Sequence, residues 1–184
     1  MAGSVDKIAD EVRRLAEEVV SPLGLEVVEV IFRRQGKHSL LRIDIDRPGV
    51  PGVSLGDCEW VSTAVDRVLD GTELFGDSYE LQVSSPGVDR PIVSDADFRR
   101  NTGRPLLVET TEKLLGISTF RGALLGLERE NLRLDAGPGG EVTIPRNLVL
   151  SARQDVDQDL HAAGKGARPR GKRDRRGIVG TPSS

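Results

Sequence analysis

Cysteine is almost absent. Cys58 is the only one, so an internal disulfide is excluded, and so is a zinc site built from several thiolates. The two histidines, His38 and His161, stand far apart in unlike surroundings, and neither has the neighbours of a metal ligand or a catalytic base. Aromatic residues are scarce as well: Phe32, Trp60, Phe75, Tyr79, Phe98 and Phe120 are the whole set in 184 residues. Readers of single-stranded RNA stack bases on aromatic rings, and most of these six fall on expected core faces, which argues against sequence-specific base reading. No run of about 18 apolar residues exists to cross a bilayer. Asp6, Lys7, Asp10 and Glu11 stand where a secretory signal would carry its apolar core, so an unexported protein of the reducing cytoplasm is expected. Neither a Gly-x-Ser-x-Gly elbow nor a phosphate-binding loop ending in Lys-Ser or Lys-Thr is present. No cofactor is expected.

Charge is plentiful but segregated. From His161 onward Lys165, Arg168, Arg170, Lys172, Arg173, Arg175 and Arg176 face one acid, Asp174, for a net +6; since the chain totals −3, residues 1–160 carry −9. An acidic body attracts basic partners and repels bare nucleic acid at long range, and a basic tail does the reverse.

Hydrophobic periodicity then gives the organisation. Val5, Ile8, Val12, Leu15 and Val19 recur at helical spacing, with Ser4 placed to cap the helix and Ser21-Pro22 to stop it. Residues 26–32 and 40–46, separated by a turn containing Gly36, read as a hairpin; in the second strand Leu41, Ile43 and Ile45 alternate with Arg42, Asp44 and Asp46. The Pro- and Gly-rich stretch 47–52 reads as a mobile loop. Ser54 with Asp57 opens a second helix, whose buried stripe is expected at Cys58, Val61, Val65 and Val68. Tyr79, Leu81 and Val83 alternate as a third strand. The order αββαβ is that of a two-layer α/β domain, residues 1–85.

Residues 86–93 form a stiff joint. Beyond it a short helix capped by Ser94 and Asp97 leads into five strand candidates, 106–110, 118–127, 131–135, 141–144 and 148–152, which point to a small β-barrel over 94–155, with Gly122 allowing a sharp bend. The overall class is α+β. Residues 156–184 have too few large apolar side chains to offset the entropy of ordering and read as a basic disordered tail.

The joint reads Leu81-Gln82-Val83-Ser84-Ser85-Pro86-Gly87-Val88-Asp89-Arg90-Pro91, which resembles the signature segment of the RimP proteins. Phe98-Arg99-Arg100 with Gly103, Phe120-Arg121-Gly122-Ala123-Leu124 and Val142-Thr143-Ile144-Pro145 follow in that family's order, so the resemblance covers roughly residues 5–153. It implies an N-terminal α/β domain joined to an SH3-like or Sm-like barrel. It also implies a non-catalytic ribosome maturation factor that binds the immature small (30S) subunit, its 16S rRNA and a basic ribosomal protein near the decoding centre. The basic tail is not part of the family's core pattern.

Within the signature, two prolines fix φ and Gly87 tolerates conformations that other residues avoid. Asp89 and Arg90 can tie the joint together. Alternatively Ser84, Ser85, Pro86, Gly87, Asp89 and Arg90, with Arg99 and Arg100 beside them, form a partner-binding surface. A serine nucleophile needs an adjacent base, and the segment holds no His or Lys, so catalysis is not expected. Cationic candidates for RNA are Arg33, Arg34 and Lys37 on the hairpin, Arg99, Arg100 and Arg104 beside the joint, and the seven tail cations, whose contact would be with phosphates. The alternative to a maturation factor is an Sm-like RNA-binding regulator acting away from the ribosome.

Overall fold

The structure, a computed structural model, describes residues 2–35, 38–76 and 78–156. The first helix, α1 (Ala2–Val20), buries Ile8, Val12, Ala16 and Val20, with Leu15 and Val19 partly covered. It begins at Ala2, so Ser4 lies inside the first turn and is not its cap. A 3-10 turn, Ser21–Leu23, and Gly24 at φ 67° redirect the chain into β1 (Glu26–Gln35). That strand pairs antiparallel with β2 (His38–Asp46).

From β2 the chain crosses through α2 (Leu55–Asp70) to β3 (Tyr79–Ser84), which lies parallel to β2 and gives a three-stranded sheet of order β1-β2-β3. Ser54 and Asp57 form a complete capping box at the start of α2. Its buried stripe is Cys58, Val61, Val65 and Leu69, and the expected Val68 is outside it. At 3.6 residues per turn the spacing that returns to one face after three turns is eleven, which selects position 69 over 68. Both helices cover one face of the sheet, and Leu41, Ile43 and Ile45 are fully buried beneath them.

In the second half, α3 (Asp95–Arg100) opens with a second capping box, Ser94 with Asp97, and sends Phe98 into a separate core with Leu106, Leu124, Leu132, Leu134 and Ile144. Five antiparallel strands follow: β4 (Pro105–Leu114), β5 (Ile117–Glu128), β6 (Asn131–Asp135), β7 (Glu141–Pro145) and β8 (Val149–Gln154). They hydrogen-bond in the order β7-β6-β5-β4-β8. Of the expected small β-barrel the structure shows the five strands in one sheet without closure among the described residues: β7 and β8 are its two edges, and the three-residue turn Arg146–Leu148 carries the chain between them.

Two details differ from the pattern read in the sequence. Strands β4 and β5 extend to a two-residue turn in which Leu115 and Gly116 both have positive φ, the conformation that suits the twist of a hairpin. Gly122 serves close approach: a Cβ there would sit 2.4 Å from the Asp135 carbonyl oxygen on β6. Among the described residues no helix is long and apolar enough to cross a membrane.

Candidate partner-binding surface at the joint

Alternation along β2 places Arg42, Asp44 and Asp46 on the face of the first sheet that the helices leave open. In register with them stand Glu29 opposite Asp44 and Glu26 opposite Asp46 on β1, and Ser84 beside Asp44 on β3. Four carboxylates thus crowd one end of the open face, and like charges directly opposite each other on neighbouring strands repel. Each has an arginine. Arg42 grips Asp44 with bonds of 2.8 and 3.0 Å, and Ser84 donates to the same carboxylate at 3.0 Å. The other three arginines come from the joint itself and from beyond it. Arg90 donates to Glu29 at 2.6 Å, Arg99 to both oxygens of Glu26 at 2.7 and 2.8 Å, and Arg104 to both oxygens of Asp46 at 2.8 and 3.0 Å.

Arg104 is the centre of this arrangement. The side chain is buried, and its remaining donors reach the carbonyls of Gly49 at 2.8 Å and Arg47 at 2.6 Å and, more weakly, Asn101 Oδ1 at 3.4 Å. The Gly49 amide in turn donates to the Arg100 carbonyl at 2.8 Å. Residues 47–52, expected to be a mobile loop, are therefore clasped by the second half of the chain. Gly52 is required here, since at φ +86° a Cβ would lie 3.0 Å from Arg104 Nη2. Arg47 ties the other side of the loop by donating to the Leu23 carbonyl and to Asp57.

The clasp leaves a cleft of about 200 Å³ between the halves. Asp46 and Arg104 belong to its lining, and Val50, Pro51, Pro86 and Val88 give it an apolar rim. Val50 is 68 % and Val88 43 % exposed, which is unusual for two large apolar side chains lining one depression.

The expected site residues divide between the cleft and the carboxylate cap. Ser85 and Pro86 line the cleft, with Ser85 exposed. Ser84 is turned onto Asp44. Asp89 is almost fully exposed, with Arg153 3.8 Å away. Arg90 spans the joint, and its Nε is buried without a protein partner. Arg99 is held by Glu26, and Arg100 sits against Asp97 with Glu26 3.9 Å away. Gly87 has no positive φ and open space around its Cα, so the conformational freedom expected of it is not used.

Of the cations considered for RNA, Arg99, Arg100 and Arg104 are all engaged in ion pairs. Arg33 and Arg34 are exposed near the end of β1 and carry no ion pair among the described residues. Lys37 and the tail cations Lys165, Arg168, Arg170, Lys172, Arg173, Arg175 and Arg176 lie outside the described residues. Sequence reasoning missed the part played by Val50 and Pro51. A run of Pro and Gly signals a break in regular structure, but it does not reveal which side chain, 55 positions later, will reach its carbonyls.

Two titrating groups report on rigidity. For Asp97, burial pushes the carboxyl up, but the Ser94 hydroxyl and amide, the Val93 amide and Arg100 together outweigh it and hold the acid below the usual carboxylate range. Burial, followed by the nearby Asp57, Asp44 and Glu59, pushes the Cys58 thiol up, which suits a packing role over a reactive one.

Residues 15–89 match the family model described as the RimP N-terminal domain. The match runs from the middle of α1 through the whole three-stranded sheet to Asp89 inside the joint.

Proposed function

We infer that this chain, which belongs to the RimP family of ribosome maturation factors, binds the immature small (30S) subunit in the cytoplasm and assists incorporation of a basic ribosomal protein near the decoding centre. The single observation that best supports this reading is the cap of three arginines, Arg90, Arg99 and Arg104, on the carboxylates of the first sheet. The cap fixes the halves against each other, so a partner meets one composite surface. Within that surface the cleft between Val50 and Val88 offers an apolar slot with Ser85 at its edge, suited to an extended segment of a protein partner. The proposed partner contacts are Ser84, Ser85, Pro86, Gly87, Asp89 and Arg90, flanked by Arg99 and Arg100.

Ribosomal RNA is met elsewhere. Arg33 and Arg34 are free to meet phosphate oxygens, whereas the arginines at the joint already hold carboxylates. Electrostatic attraction between the acidic body and a basic protein would raise the rate of encounter more than the final affinity.

The test is co-sedimentation of the full chain with small subunits purified from cells that lack it. With Val50→Asp and Val88→Asp combined, binding is expected to weaken by about tenfold or more, as for loss of one well-packed apolar anchor. The melting temperature should be unchanged, because both side chains are exposed. Equal binding by the variant would remove the cleft from the mechanism. Normal small subunits with altered messenger levels after depletion would instead support the Sm-like regulator.

A further inference from the structure

Helix α2 has a face that nothing among the described residues covers. Opposite its buried stripe, Trp60 is 54 % exposed. Two positions past the buried Cys58, Trp60 is turned about 200° round the helix, which puts it on the outer side. With Thr63, Ala64 and Arg67 it lines a shallow groove of about 270 Å³. Along the next row stand Glu59, Asp66 and Asp70, spaced i, i+7, i+11, all exposed and none in an ion pair among the described residues. Three carboxylates, of which Asp66 accepts only a long hydrogen bond of 3.5 Å from the Tyr79 hydroxyl, therefore stand beside a single cation, Arg67, that has no ion pair among the described residues. The phenol of Tyr79 feels them: burial first, then Asp66 and Asp70, push it up.

An indole is the best aromatic face for a guanidinium, and a neighbouring acid row adds attraction of the same sign. The sequence contains a matching run: residues 165–176 hold seven cations and the single acid Asp174. The chain also leaves the described region in the right place. Gln154 lines the same cleft as Val53, two positions before α2 starts, and Trp60 lies about 9 Å along the helix from Ser54. Residues 157–164, fully extended, span up to about 28 Å. The basic run can therefore reach the groove without disturbing either half.

We propose that in the free protein residues 165–176 dock on the outer face of α2, with arginine over Trp60 and neighbouring cations along Glu59, Asp66 and Asp70. The docked tail would mask part of the acidic body and would be released by a competing polyanion. The inference is independent of the reading above, since it concerns neither the cleft nor the ribosomal partner.

Trp60 is the only tryptophan, so its emission and its quenching by acrylamide report this groove alone. In the full chain, replacing Arg168, Arg170, Lys172 and Arg173 by Gln is expected to raise the quenching constant about twofold and shift emission to the red, and raising salt from about 0.02 to about 1 M should do the same to the unaltered chain. Replacing Glu59→Gln, Asp66→Asn and Asp70→Asn should reproduce the effect, and joining both sets should add nothing further. The tail variants leave both cores untouched, and circular dichroism checks the fold of the helix variants. Unchanged quenching on neutralising the tail would overturn the proposal. So would fully additive effects of the two sets. A signal that varies with protein concentration would also overturn it, by assigning the groove to a second copy of the chain.

Discussion

A guanidinium has five N–H donors, and at Arg104 all five are used: two on Asp46, two on the carbonyls of Arg47 and Gly49, one on Asn101. A buried ion pair contributes little relative to a well-packed apolar pair, but removing one partner strands the other charge. Arg104→Ala should therefore cost about 3–5 kcal/mol in denaturant unfolding, Asp46→Ala about as much, and the double variant clearly less than their sum. A loss below about 1 kcal/mol for the single variants would mean that the clasp is not tight. Glycines at two positions should behave oppositely. Gly87→Ala is expected to be neutral or stabilising by up to about 1 kcal/mol, since its backbone is ordinary and its surroundings open. Gly122→Ala should be strongly destabilising, because its Cβ would press into the backbone of β6. Thermal melts of the two variants check this directly.

At the scale of elements, the helix starts were the most legible part of the sequence. Ser54 with Asp57 and Ser94 with Asp97 announced both capping boxes, because that geometry is local and needs only four residues. Ser4 was misleading, since helix α1 had enough apolar and small residues to extend past it to Ala2. The capping acid of α3 also sets a pH dependence. Its folded-state affinity for protons is lowered, so the stability it contributes is present above the unfolded carboxylate value, near ~3.9, and is lost as pH falls through the lower folded value. Asp97→Asn should cost about 1 kcal/mol at neutral pH, with the gap to the parent chain narrowing as pH falls below the unfolded carboxylate value. Parallel acid titrations of stability are the measurement; a gap that stays constant would assign the loss to packing.

For the whole molecule, the order of elements was readable and their mutual arrangement was not. Alternation in β2 showed that Arg42, Asp44 and Asp46 share a face, but net charge made that face look like part of a uniformly acidic surface. Three of the four acids there are in fact capped by arginines from distant positions, and this long-range pairing has no local signature. The same pairing changes which cations can meet RNA. With Arg99, Arg100 and Arg104 committed, Arg33 and Arg34 remain. Replacing both by Ala should lower the slope of log affinity against log salt by about 1.5 for a small-subunit RNA fragment, as expected for two lost phosphate contacts. An unchanged slope would place the RNA contact elsewhere. Closure of the second sheet was over-read because five short strands with tight turns do not specify whether the two outermost strands meet.

The clasp also has a timing. Asp46 and Arg104 are 58 positions apart, so during synthesis the carboxylate is made roughly 3 to 12 s before the side chain that will hold it, at about 5–20 residues per second. The nascent first half must spend those seconds with an unneutralised acid at the end of its sheet. Arrival of the second half completes that surface, which makes the last stage of maturation of this chain a docking event between two parts of its own sequence.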